Sequence, residues 1–166
     1  MLSQLLTQLE EKIEVMPEQC FFNEGLSFDE LTDFLDQQPF LFPISYFTFL
    51  LNHNGGFMCY ENMKGIDFES MAWNSNRFLS ISEIEHAYQR IHHKFSGGKI
   101  QFVPFMQVEN AEYLAFKYPL EEHESPVYDI WHEAFPAEWL QQEVYSGFYT
   151  LLDDYIRNDG FIRTIG

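Results

Sequence analysis

The stretch FPISYFTFLLNHNGG, Phe42 to Gly56, decides the fold. Pro43 stands where a helix would begin, its φ preset and with no N–H to leave unpaired. Phe47, Leu50 and Leu51 follow at helical spacing, and Phe49 widens the apolar face. Asn54, Gly55 and Gly56 then end the helix, because a left-handed cap and a sharp reversal favour residues with little or no Cβ penalty. Phe57 to Tyr60 restarts at once as a strand.

Upstream, Leu2, Leu5, Leu6, Leu9, Ile13 and Met16 share one face, which predicts a helix over Leu2 to Val15. Ser27-x-x-Glu30 is a capping box opening a short helix that buries Leu31, Phe34 and Leu35, and Gln37-Gln38-Pro39 closes it. Downstream, Phe78 to Ile81 reads as a strand, and the residues between Tyr60 and Phe78 read as loop. Ser82-x-x-Glu85 is a second capping box, for a helix running to about Phe95 and ending at Gly97-Gly98, with Lys94 near its C-terminus. Ile100 to Val108, Glu112 to Tyr118 and Val127 to Trp131 are β-rich. Glu109-Asn110-Ala111 joins the first two as a hairpin, with Asn110 suited to a positive φ. A last helix starts near Ser146, buries Phe148, Leu151, Leu152 and Tyr155, and stops at Asn158-Asp159-Gly160. The order predicts one α+β domain over residues 1–166, an antiparallel (or mixed) sheet packed by four to five helices, rather than a parallel βαβ repeat.

The composition supports a folded core. Of 166 residues 46% are apolar and 18 are phenylalanine, so the chain can bury a core without metal or disulfide. No apolar run approaches the ~18 residues of a membrane span, and the N-terminus has no signal-peptide pattern. Cys20 and Cys59 have neither disulfide nor metal spacing; as small buried hydrophobes they suit a reducing, cytoplasmic setting. The net charge is −17, and it is uneven: residues 1–63 contribute −9, residues 64–117 nothing, residues 118–166 −8. Such a field repels nucleic acid and anionic membranes and steers a basic partner inward. Solubility alone is the plainer account of acidity.

Several segments together resemble the SUKH superfamily, the Smi/Knr cell-wall regulators of fungi and a set of bacterial immunity proteins. The Pro43 helix ending in Asn54-Gly55-Gly56 is the most specific. IQFVPFMQVENAEYLAF, Ile100 to Phe116, resembles the family's central hairpin. Pro126-Val127-Tyr128 followed by His132-Glu133 resembles its next strand, and SGFYTLLDDYI, Ser146 to Ile156, its closing helix. The hairpin departs from the family pattern in having Glu109-Asn110-Ala111-Glu112 where a turn with Gly and Asp is usual. The resemblance implies a binding module. Bacterial members neutralise a toxin, often a nuclease or deaminase, whereas fungal members sit in larger chains and regulate wall synthesis. A single domain looks like the bacterial type.

The residues offer weaker signs of chemistry. His53, His86, His92, His93, His123 and His132 form no HExxH or His-x-His pattern, so no metal is expected. Glu121-Glu122 with Glu124, and Asp153-Asp154, read as solvated acids, although a small hydrolase uses such pairs as acid and base. There is no Gly-x-Ser-x-Gly and no phosphate-cradling loop, and Asn54-Gly55-Gly56 follows a helix rather than a strand. No catalytic residue and no cofactor are expected. Trp73, Trp131 and Trp139 are each expected in the core; an exposed Trp beside acids is instead an anchor for a basic protein.

The reading is therefore a non-catalytic immunity protein whose acids cover the cationic groove of a basic toxin domain. The alternative is a regulatory scaffold that binds an endogenous protein. The expected interface is Glu121, Glu122 and Glu124 with Asp129 and Glu133, extended by Glu109 and Glu112.

Overall fold

A computed structural model describes residues 1–63, 65–91, 100–130 and 135–164. Seven strands form one antiparallel sheet in which every strand pairs with its neighbours in sequence. They are β1 (Cys20–Phe22), β2 (Gly56–Met58), β3 (Arg77–Phe78), β4 (Gln101–Val108), β5 (Glu112–Tyr118), β6 (Val127–Asp129) and β7 (Glu143–Tyr145). The expected α+β class holds, with six α-helices among the described residues rather than four or five: α1 (Leu2–Val15), α2 (Phe28–Asp36), α3 (Ile44–Asn52), α4 (Phe68–Asn74), α5 (Ile81–Ile91) and α6 (Phe148–Arg157).

The main core lies between one face of the sheet and the helices. Tyr46 of α3 is its hub, wholly buried and in ring contact with Phe42, Phe49, Phe105, Phe116 and Phe148. Its hydroxyl donates to the carbonyls of Leu79 and Phe105 (3.3 and 3.4 Å), which satisfies a polar group with no access to water. Tyr155 of α6 does the same between β2 and the start of β3, accepting from Met58 N at 2.7 Å and donating to Asn76 O at 3.0 Å. A bulge between Pro104 and Met106 lets both Phe105 and Met106 stay in this core. The opposite face of the sheet carries a smaller cluster of Ile91, Phe102, Ala115, Tyr128, Ile130 and Trp139.

The opening stretch acts as a junction. The helix buries Ser45, Tyr46, Phe49 and Leu50, while Phe47 and Leu51, assigned to the core by spacing, are half-buried. His53 ends it in an extended conformation; its Nε2 meets Glu10 of α1 at 2.5 Å and its Nδ1 meets Asn23 O at 3.3 Å. Asn54 Oδ1 accepts from Ile81 N (2.9 Å), so the same residue that follows α3 caps α5. A Cβ on Gly55 would lie 2.7 Å from Ser80 N, and one on Gly56 2.4 Å from Phe22 Cα, so both glycines permit backbone contact as well as positive φ.

Three local expectations are corrected. The segment between Tyr60 and Phe78 is not all loop: Asp67 caps α4 through Ser70 N. Helix α5 starts two residues before the Ser82 box, because Ser80 and Glu83 exchange bonds between side chain and backbone (3.1 and 3.3 Å). At the central hairpin Ala111, rather than Asn110, takes the positive φ, 61°. The expected helix end at Gly97-Gly98, with Lys94, lies outside the described residues.

Candidate partner-binding surface

The acidic loop after β5 is built as a tight turn. Glu121 and Glu124 bond reciprocally, N to O, at 3.0 and 2.9 Å, and Glu122 and His123 between them have φ of 50° and 66°. Positive φ at both central residues is the geometry of a type I′ hairpin turn, which usually takes Asn and Gly.

This turn is docked on the start of α3. Pro43 precedes that helix without a side-chain cap, so its first N–H groups need outside acceptors. His123 O accepts from Ile44 N at 3.0 Å. The Glu124 carboxylate accepts from Ser45 N at 2.9 Å and from Ser45 Oγ at 2.7 Å. A carboxylate at a helix N-terminus also meets the positive end of the helix dipole. Glu124 is therefore a capping residue of a distant helix. Glu121 pairs with Lys117 at 3.1 Å, and Glu122 is exposed at the tip.

Docking places the acids against apolar residues that face water. Ile44 is 56% exposed and Leu41 51%. Phe47, one helical turn from Ile44, is half-buried under Phe28 of α2, whose ring lies 5.8 Å away and which is 62% exposed. Helix α2 then adds exposed Asp29, Glu30, Asp33 and Asp36. The result is an apolar shelf, Phe28, Leu41 and Ile44, with acids at either side.

The other expected interface residues do not join it. Glu112 and Asp129 are buried, at 8% and 1% exposure, in β5 and β6. Glu109 is exposed, but it stands before β5 while the acidic turn follows it, with that seven-residue strand, roughly 20 Å long, between them. Glu109 accepts from Tyr60 Oη at 3.3 Å instead. Glu133 lies outside the described residues. The described acids thus do not make one continuous patch.

Phe28, Leu41 and Ile44 were missed by reasoning from spacing. For Ile44 the signal is surplus: ISYFTFLLN is apolar on more than one face, so a helix of that length on a core must expose some of it, whereas Phe28 and Leu41 lie outside that helix.

Of the tryptophans, Trp139 is buried as expected, Trp73 is 57% exposed on α4, and Trp131 lies outside the described residues. Trp73 shares α4 with exposed Phe68, whose ring packs at 5.4 Å on Phe21. Both cysteines are buried free thiols, and burial pushes Cys20 up to about 11. His86 and His123 are exposed, and His92, His93 and His132 lie outside the described residues. Among the described residues no three His, Cys, Asp or Glu side chains converge as metal ligands do, and no helix is long and apolar enough to cross a membrane.

Comparison with curated proteins returns no match. The model of the SMI1/KNR4 family (SUKH-1) matches residues 25–154, which takes in the Pro43 helix, the Asn54-Gly55-Gly56 junction, the central hairpin and most of α6. With that match spanning most of its length, the chain belongs to the SMI1/KNR4 family (SUKH-1).

Proposed function

We propose that this protein is a bacterial immunity protein that binds a basic toxin domain, of nuclease or deaminase type, and blocks its substrate groove without chemistry. The observation that carries the reading is the acid-flanked apolar shelf. Interfaces draw their affinity from a few desolvated apolar or aromatic anchors, and complementary charge sets encounter rate and partner choice. Phe28, Leu41 and Ile44 are the anchors. Glu121, Glu122 and the α2 acids face the cationic residues that a nucleic-acid-binding groove must carry. The overall charge of −17 supports the same partner sign.

The test is co-expression of the chain with the toxin domain encoded beside its gene, scored by growth and by co-purification of an equimolar complex. Rescue with a stable complex supports the proposal. Growth arrest despite soluble protein, or capture of an endogenous protein in place of any toxin, overturns it in favour of a regulatory scaffold.

A further inference from the structure

A groove of about 490 Å³ runs between α1 and α6, and every residue that lines it lies outside residues 25–154, where the family match falls. It shares no residue with the shelf. Val15 and Met16 of α1 and Ile156 of α6 give it an apolar lining, and Glu11, Lys12 and Arg157 give it charge. A second hollow of about 280 Å³ begins at Gln8 and follows the same two helices to Leu5 and Tyr149. Val15 is 78% exposed, so it projects from the lining as an apolar knob beside an apolar hollow.

The charges of the groove differ from those of the segments that build it. Lys12 is the only base in residues 1–63, and Arg157 is one of two in residues 118–166. The fold brings both to this one surface. Lys12 pairs with Asp159 and Arg157 with Asp153, so the groove is close to neutral in a molecule of charge −17. Glu11 is the remaining acid of the lining, and it faces water. The Arg157 side chain is 69% exposed, and one bond to Asp153 leaves most of its donors open. The surface therefore carries a knob and a hollow, and an acid and a base, side by side.

We propose that this groove is the interface of a two-fold dimer of the chain. A two-fold interface must be complementary to itself, with each feature meeting its counterpart on the second copy. Val15 of each copy enters the hollow of the other, and Glu11 of each meets Arg157 of the other. A partner of one charge sign would meet both signs here, whereas a second copy brings the matching pair. The net charge of the two copies does not forbid the contact, because at physiological salt charges more than about 8 Å apart are largely screened. The dimer leaves Phe28, Leu41 and Ile44 uninvolved, so the inference stands apart from the toxin-binding reading.

The experiment is sedimentation equilibrium of the full chain at rising concentration in physiological salt. The native chain should approach twice the mass of one chain by about 100 µM. Val15→Asp, at an exposed position, should weaken association by about tenfold or more. Glu11→Lys and Arg157→Glu should each be monomeric alone, because each sets like charges against one another across the two-fold axis. An equimolar mixture of these two variants should dimerise, because it restores both acid–base contacts, and that recovery shows that both are folded. A native chain that stays monomeric, a dimer undiminished in Val15→Asp, or a mixture that stays monomeric overturns the proposal.

Discussion

Glu122 and His123 hold a conformation that their side chains resist. An L-residue at positive φ costs about 1–2 kcal/mol relative to a residue tolerant of that region, and two such residues sit side by side at φ 50° and 66°. Local strain tends to persist where the surroundings over-determine it, and here the reciprocal Glu121–Glu124 bonds and the docking on α3 do so. The double substitution Glu122→Asn with His123→Gly suits the type I′ turn and should raise stability by about 1 kcal/mol in urea titration. It also removes an exposed charge from the proposed interface. The expected outcome is a more stable protein with slower association to a basic partner; a variant that loses stability contradicts the turn assignment. The same scale shows why Asn54-Gly55-Gly56 was legible as a helix stop but not as a junction. Local sequence explains the stop. It says nothing of Ser80 and Phe22, whose backbones approach from afar and leave no room for a Cβ, or of Ile81, whose N–H donates to Asn54 Oδ1.

Helices in this protein are often finished by other elements. The start of α3 depends on Glu124, so Glu124→Ala should destabilise the fold by about 1–2 kcal/mol, as loss of a good cap does. Glu122→Ala should leave stability nearly unchanged. Equal effects of the two in chemical denaturation would contradict the division between a structural and a free acid. Helix α5 shows a second case. Burial alone would raise the Glu83 carboxyl, but hydrogen bonds from Arg77 and the Ser80 backbone outweigh it and hold it below the ordinary carboxylate value. The unfolded chain then binds more protons than the folded one in that window. Glu83 therefore stabilises the protein at neutral pH, and the contribution fades as pH falls below its unfolded value and through its folded one. Glu83→Gln should flatten the fall of the urea midpoint as pH drops below the ordinary carboxylate range; an unaltered acid limb would show that the Arg77–Glu83 pair does not couple to folding. At this scale the sequence was read well wherever an element is long and periodic: α1 begins and ends where its leucine stripe does, and β5 matches from Glu112 to Tyr118. It was read poorly where two local solutions compete. Ser80-x-x-Glu83 and Ser82-x-x-Glu85 are both capping boxes, and the choice is made by β3 ending at Phe78 and by Asn54 meeting Ile81. Helix α4 escaped notice because seven residues with exposed Phe68 and Trp73 present no buried stripe.

The whole molecule separates charge from chemistry along its chain. The acidic N-terminal and C-terminal thirds meet where the Glu121–Glu124 turn docks on α3, and the neutral middle supplies the long central strands of the sheet. Composition reveals the sign of this field but not its shape, because pairing of distant segments decides which acids face water. Asp129 is among the most acidic-looking residues of its segment and is almost wholly buried, whereas Ile44 inside the most apolar segment is exposed. The proposed surface combines that apolar exposure with flanking acids, and a partner that docks there should lose affinity when the anchors become charged. The direct measurement is calorimetric titration of the neighbouring gene's toxin domain with the full chain and with Phe28→Asp/Ile44→Asp, both positions being exposed enough to leave the fold intact. The account predicts an equimolar complex for the native chain and at least a hundredfold weaker binding for the variant, about 2.7 kcal/mol. Equal affinities for the two proteins would contradict it.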